Sequence, residues 1–70
     1  MAKIRFIREY NFYSYKMYDI IYKSGRAVTH RAESLPKTAQ NFLANAKHKV
    51  LQYDSLFNRD EIIYSNGLKA

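Results

Sequence analysis

A short loop, Lys23-Ser24-Gly25-Arg26, lies between two stretches rich in β-forming residues, and it limits what this chain can build more than any other feature. Glycine supplies the positive φ that a tight reversal needs, so residues 15 to 23 and 26 to 33 are expected to form a β-hairpin. The position of the glycine also sets the register. With Gly25 as the left-handed residue closing a three-residue loop, Tyr22 faces Arg26, Ile20 faces Val28 and Tyr18 faces His30. Tyr18, Ile20, Tyr22, Val28 and His30 then share one face, while Met17, Asp19, Ile21, Thr29 and Arg31 share the other. A two-residue loop would instead pair Asp19 with His30 and mix the apolar set with Thr29 and Arg31.

The flanking segments extend this unit. Residues 3 to 10 alternate loosely, with Ile4, Phe6 and Tyr10 on one face and Lys3, Arg5, Ile7 and Glu9 on the other, which suits a half-buried strand. Arg8 interrupts the apolar face, and a bulge near Ile7 or an edge position would repair the pattern. Asn11-Phe12-Tyr13-Ser14 offers the polar residues of a reversal, so a first hairpin is expected there. After the second hairpin, Glu33-Ser34-Leu35-Pro36 carries helix-start signals, with Ser34 as the cap and Pro36 in the first turn. Leu35, Ala39, Phe42, Leu43, Ala46, Val50 and Tyr53 recur at three- and four-residue steps, predicting one amphipathic helix to about residue 52. Lys47 and Lys49 would flank its apolar stripe, and Lys37, Asn41, Asn45, His48 and Gln52 would form its polar face. Residues 53 to 60 read as a connection in which Leu56-Phe57 anchors into the core, followed by a last strand at 61 to 65. That strand is expected to end at Ser65-Asn66-Gly67, with Leu68-Lys69-Ala70 frayed. The fold expected is therefore a two-layer α+β domain, an antiparallel sheet of three or four strands against one helix, in the order β-β-β-α-β.

One internal echo, Asp19-Ile20-Ile21-Tyr22-Lys23-Ser24-Gly25 against Glu61-Ile62-Ile63-Tyr64-Ser65-Asn66-Gly67, is ordinary strand-to-turn grammar. Its content is local, marking residues 61 to 65 as a strand of the same type as 18 to 22.

Seventy residues hold one hydrophobic core, and a domain so small gains from a homodimer or a bound partner. The chain has no cysteine, so neither disulfides nor thiolate metal sites support it, and a reducing cytosol is the expected setting. Charges punctuate Met1-Ala2-Lys3-Ile4-Arg5-Phe6-Ile7-Arg8, which does not read as a signal peptide or membrane span, so a cytoplasmic protein with no membrane partner is expected.

Lys and Arg number 12 against 6 for Asp and Glu, giving a net charge of +6. Such a surplus suits an anionic partner, although net charge also serves solubility. Metal binding lacks ligands, because His30 and His48 are the only imidazoles and the carboxylates are scattered. No glycine-rich phosphate loop and no cofactor motif is present. A ribonuclease using His30 and His48 as acid and base would need them close together, yet one is expected on the inner sheet face and the other on the outer face of the helix. A non-catalytic role follows.

Basic residues alternate with aromatic ones through Arg5, Arg8, Tyr10, Tyr13, Tyr15, Lys16, Tyr18, Tyr22, Lys23, Arg26 and Arg31. Cations meet phosphates and rings stack on exposed bases, so nucleic acid or a nucleoprotein complex is the expected partner. The binding residues expected are Arg5, Arg8, Lys16, Lys23, Arg26 and Arg31, with the hairpin tip foremost. Tyr18 and Tyr22 have core packing as their plainer reading. In architecture alone, three antiparallel strands backed by a helix resemble the sheet-reading DNA-binding domains of phage integrase arms and plant transcription factors, without a diagnostic motif of either. The alternative is a small inhibitor that docks on a host protein complex and blocks it. A stand-alone chain favouring Lys, Asn, Ile and Tyr suggests a phage or mobile-element gene, and an anti-CRISPR or other anti-defence role would unite both readings.

Overall fold

The computed structural model describes residues 3–66. Five strands, β1 (Ile4–Phe12), β2 (Tyr15–Tyr22), β3 (Ala27–Arg31), β4 (His48–Asp54) and β5 (Arg59–Ser65), form one sheet in the order β3-β2-β1-β5-β4. All neighbours are antiparallel. A 3-10 turn (Ala32–Ser34) and a single helix, α1 (Lys37–Asn45), carry the chain from β3 across one face of the sheet to β4. The α+β class matches the sequence reading, with five strands where three or four were expected. The segments 67–70 and 1–2, including the reading of Gly67 as a turn and Leu68-Lys69-Ala70 as frayed, lie outside the described residues.

The β2–β3 hairpin has the register that Gly25 dictates. Gly25 sits at φ 96°, its N–H donates to the Tyr22 carbonyl at 2.9 Å, and the Tyr22 N–H donates to the Arg26 carbonyl at 2.8 Å. Ile20 pairs with Val28 and Tyr18 with His30. The bulge in β1 falls between Ile4 and Phe6, at Arg5, rather than near Ile7. That extra residue turns Ile4 and Ile7 to the same side. β1 is the central strand, so Arg8 is not accommodated at an edge. The first hairpin turns at Tyr13-Ser14, with Phe12 opposite Tyr15.

Three expectations are corrected. The helix ends at Asn45, and residues 48 to 54 are strand, because Val50 and Tyr53 continue the helical spacing only by coincidence while their branched and aromatic side chains suit the ladder with β5. His48, Lys49 and Gln52 therefore lie on β4. Helix entry differs too: Pro36 precedes α1, its carbonyl accepting the Gln40 N–H at 3.0 Å, and the Ser34 hydroxyl donates instead to the Arg31 carbonyl. Leu56 and Phe57 form the exposed tip of the β4–β5 turn instead of a core anchor. Asp54 shapes that tip by accepting the Leu56 and Phe57 N–H groups, and Asn58 takes the left-handed conformation at φ 57°.

The core lies between α1 and the middle of the sheet. Ile7 and Ile20 are fully buried, each worth about 1.5–3 kcal/mol in water-excluded apolar surface. Ala39, also fully buried, lets the helix approach closely, while Leu35, Phe42 and Leu43, together with Tyr22 and Tyr64, pack against the cluster of Ile7, Tyr18, Ile20 and Ala39. Tyr18 and Tyr22 are thus packing residues. Tyr64 donates its hydroxyl to Glu9 Oε1 at 2.8 Å, and Lys16 Nζ lies 3.4 Å from the other carboxylate oxygen.

Burial, followed by the Glu9 carboxylate, pushes the phenols of Tyr18 and Tyr64 up to about 12. A raised folded-state value favours the neutral ring in the native protein, so this stability is intact below pH 10 and lost as pH rises from 10 toward 12. For Tyr18 it amounts to on the order of 2–3 kcal/mol. Urea melts at pH 9, 10 and 11 should show falling midpoints, with the decline flattened in Tyr18→Phe; a midpoint independent of alkaline pH would contradict the placement. Gly25→Ala should cost about 1 kcal/mol, from its positive φ alone, since no atom lies within 4 Å of an added Cβ. Thermal melting checks this, and an unchanged midpoint would argue against the left-handed turn.

Candidate nucleic-acid interface

Strand direction decides which cations meet. Because β1 starts where β2 ends, the Lys23 N–H donates to the Lys3 carbonyl at 3.0 Å, joining the hairpin tip to the start of the central strand. Ile4 pairs with Tyr22, and Arg5 bulges beside it. Lys3, Arg5, Lys23 and Arg26 are all exposed at this end of the sheet. Within the tip, the Arg26 N–H donates to Ser24 Oγ at 3.4 Å. Among the described residues, none of these four side chains makes an ion pair.

The same end extends across β5 and β4. His48 pairs with Ser65 and Lys49 with Tyr64, while the Lys47 N–H donates to Asn66 Oδ1 at 3.3 Å. Lys47 and Lys49 therefore stand on the same side of the molecule as the hairpin tip. Lys49 Nζ lies 5.6 Å from the Tyr64 ring centre. No Asp or Glu occurs in residues 3–5, 22–27, 46–49 or 64–66, which build this end. Six cations stand there without a carboxylate, and the remaining six cations of the chain, Lys69 included, equal the six acids.

Three of the expected binding residues are engaged elsewhere. Arg8 lies on the sheet face opposite α1, where Nη1 is 3.4 Å from Asp19 Oδ2 and Nε is 3.3 Å from Glu61 Oε1. Lys16 pairs with Glu9 near the opposite end of β2. Arg31 pairs with Glu33 and covers the Tyr15 ring at 4.8 Å. The structure brings together Arg5, Lys23 and Arg26, adds Lys3, Lys47 and Lys49, and leaves Arg8, Lys16 and Arg31 apart.

The cluster around Arg8 joins four strands, β1, β2, β3 and β5, on the face that the helix leaves uncovered. Glu61 on β5 is only 1% exposed and also receives the Arg59 Nε–H at 3.0 Å. Asp19 on β2 accepts hydrogen bonds from the hydroxyls of Tyr10 and Thr29, both at 2.8 Å. Burial, then the hydrogen bond to Asp19 and its charge, raises the Tyr10 phenol above its ordinary value. The Arg59 guanidinium lies over the Tyr10 ring, 3.6 Å from its centre. Arg8 Nε and Glu61 Oε1 make no hydrogen bond of good geometry, so their contact is charge attraction in a buried setting.

Of the rings expected to interleave with the cations, Tyr10 and Tyr18 are buried and Tyr22 is half-buried, while Tyr13 and Tyr15 join other exposed apolar side chains at the far end. Phe12, Tyr13 and Tyr15 surround the β1–β2 turn, and Tyr53, Leu56 and Phe57 the β4–β5 turn. Tyr13 is 87% exposed and held at φ 57°, a conformation unfavourable for a bulky side chain. Its ring meets Phe12 edge-on, with centres 4.5 Å apart. Cations and stacking surfaces therefore occupy opposite ends. The missed cations Lys47 and Lys49 were hidden by the overlong helix.

Nothing else in the described residues forms a reactive constellation. His30 and His48 stand on opposite edge strands, four strand spacings or about 19 Å apart. No group of three potential metal ligands occurs among the described residues, and no helix there is long and apolar enough to cross a membrane. Compared with known proteins, the chain matches no family model, no curated protein and no solved structure.

The two classes of arginine and lysine should separate in a stability measurement. Arg8→Met leaves Asp19 and Glu61 short of a cation and is expected to cost about 2–4 kcal/mol, whereas Lys23→Ala should stay within about 0.5 kcal/mol of the parent. Urea denaturation reads both. An Arg8 variant as stable as the parent would remove the structural role assigned to that cluster.

Proposed function

We propose that this protein is a non-catalytic binder of nucleic acid that grips the phosphate backbone with its basic end. The observation that carries the reading is the gathering of Lys3, Arg5, Lys23 and Arg26, exposed and unpaired among the described residues, on a hydrogen-bonded corner of the sheet. Lys23 and Arg26 flank a turn fixed by Gly25, so the backbone carrying them is already ordered before a phosphate arrives. Contacts of this kind give affinity and orientation without base specificity. The stacking surfaces lie too far off to serve the same few nucleotides.

A second reading is favoured by the far end of the molecule. An exposed Tyr13 in a strained conformation and a Leu56 that is 85% exposed are features of a surface kept for a partner at some cost in stability. A small inhibitor, of phage or other mobile-element origin, that docks on a host protein complex would use that end. A nucleoprotein target would engage both ends at once.

Titration with labelled single- and double-stranded DNA and RNA at several salt concentrations tests the first reading. The logarithm of affinity should fall linearly with the logarithm of salt, and Lys23→Ala with Arg26→Ala should reduce the slope by about two, one per lost phosphate contact. No binding at low salt, or a slope unchanged in the double variant, would overturn it and leave the protein-docking reading.

A further inference from the structure

The strand β4 closes one side of the sheet, and it has little of the protection that edge strands usually carry. It runs seven residues without proline or bulge, and α1 lies over the middle of the sheet rather than over it. Val50 is 55% exposed on one face and Leu51 is 69% exposed on the other. Long, apolar, uncovered edges pair with another strand. The opposite edge, β3, has five residues and runs directly into the 3-10 turn that precedes the helix.

We propose that β4 pairs with β4 of a second copy of this chain, antiparallel about a two-fold axis at Leu51. The sequence of the strand reads suitably in both directions. Centring on Leu51 opposes His48 to Asp54, Lys49 to Tyr53 and Val50 to Gln52, with Leu51 meeting its own copy, and all seven residues take part. Directly opposed side chains in an antiparallel pair share a face, so Lys49, Leu51 and Tyr53 line one side of the junction and His48, Val50, Gln52 and Asp54 the other. Moving the axis to Val50 or Gln52 loses rungs and sets each Leu51 against Lys49 or Tyr53 of the other copy instead of its own counterpart.

Charge supports the same arrangement. Among the described residues, Asp54 and Asp60 are the carboxylates without a cationic side-chain partner, and Asp60 sits beside Tyr53 on β5. Antiparallel pairing carries His48 and Lys49 of one copy to that corner of the other. A parallel pairing would set basic end against basic end. The product is an isologous dimer with a continuous ten-stranded sheet, both helices on one face, and the two basic ends at diagonally opposite corners. Lys3, Arg5, Lys23 and Arg26 stay open, because they lie on β1 and around the β2–β3 turn, away from the junction.

The absence of native cysteine makes a register-specific test direct. Leu51→Cys places two thiols opposite each other at the axis, and mild oxidation should convert it quantitatively to a covalent dimer. Leu56→Cys, more exposed than Leu51 but remote from the axis, should cross-link many times more slowly. Sedimentation of the unmodified protein should show mass rising from one chain toward two between low-micromolar and near-millimolar concentration. Leu51→Lys, which sets like charges against each other at the axis, should weaken that association at least roughly tenfold while the circular dichroism of the monomer is kept. A parent that stays monomeric throughout, or Leu56→Cys cross-linking as fast as Leu51→Cys, would overturn the proposal. Neither result would bear on nucleic-acid binding, which is read separately by salt dependence.

Discussion

Arg8 sits in the middle of the central strand, on the face without a helix, and the sheet is organised around the need to neutralise it. Its guanidinium is held by Asp19 from β2 and Glu61 from β5, the two strands that flank β1. Arg8 keeps 29% of its side chain exposed but its Nε is buried, so charge supplied by both neighbours offsets the desolvation, and Glu61 in turn needs Arg59. A one-residue slip of either neighbour would turn its acid to the helix face and leave Arg8 unpaired. The same slip would expose Ile20 or Ile62. Polar network and apolar core thus demand one register.

This use of carboxylates shapes the surface. Glu9, Asp19, Glu33 and Glu61 each hold a cation in place, and Asp54 and Asp60 lie at the end of the sheet where the aromatic turns are. The opposite end is left with cations alone. A net charge that could have been spread evenly is concentrated by the pairing inside the sheet, so the surface potential and the fold's stability share a cause.

The β2–β3 hairpin was legible in the sequence because one glycine fixes loop length, register and facing together. The core roles of Tyr18 and Tyr22 followed from that register. The bulge of β1 was legible as a need but not in place: Arg8 signals it, yet only the pairing of Ile4 with Tyr22 and Phe6 with Ile21 puts it at Arg5. The strand β4 was hidden because Ala46, Val50 and Tyr53 prolong a helical period by chance, and the competing ladder comes from residues about ten positions later. Leu56 and Phe57 misled for a related reason, since apolar character alone does not tell a core anchor from an exposed tip. The partners of Arg8 were within reach. The Asp19 and Glu61 strings place an acid at matching points of two strands, and recognising that both flank β1 requires the sheet order.

The central claim is that pairing within the sheet leaves one end of the molecule as the seat of its unbalanced positive charge, and that this end meets polyanions. Amide chemical-shift mapping on isotope-labelled protein, titrated with a short oligonucleotide at low salt, tests it most directly. The account predicts perturbations grouped at residues 3–5, 22–27, 46–49 and 65–66. Perturbations centred on Tyr13, Leu56 and Phe57, or on the face carrying Arg8 and Arg59, would contradict it.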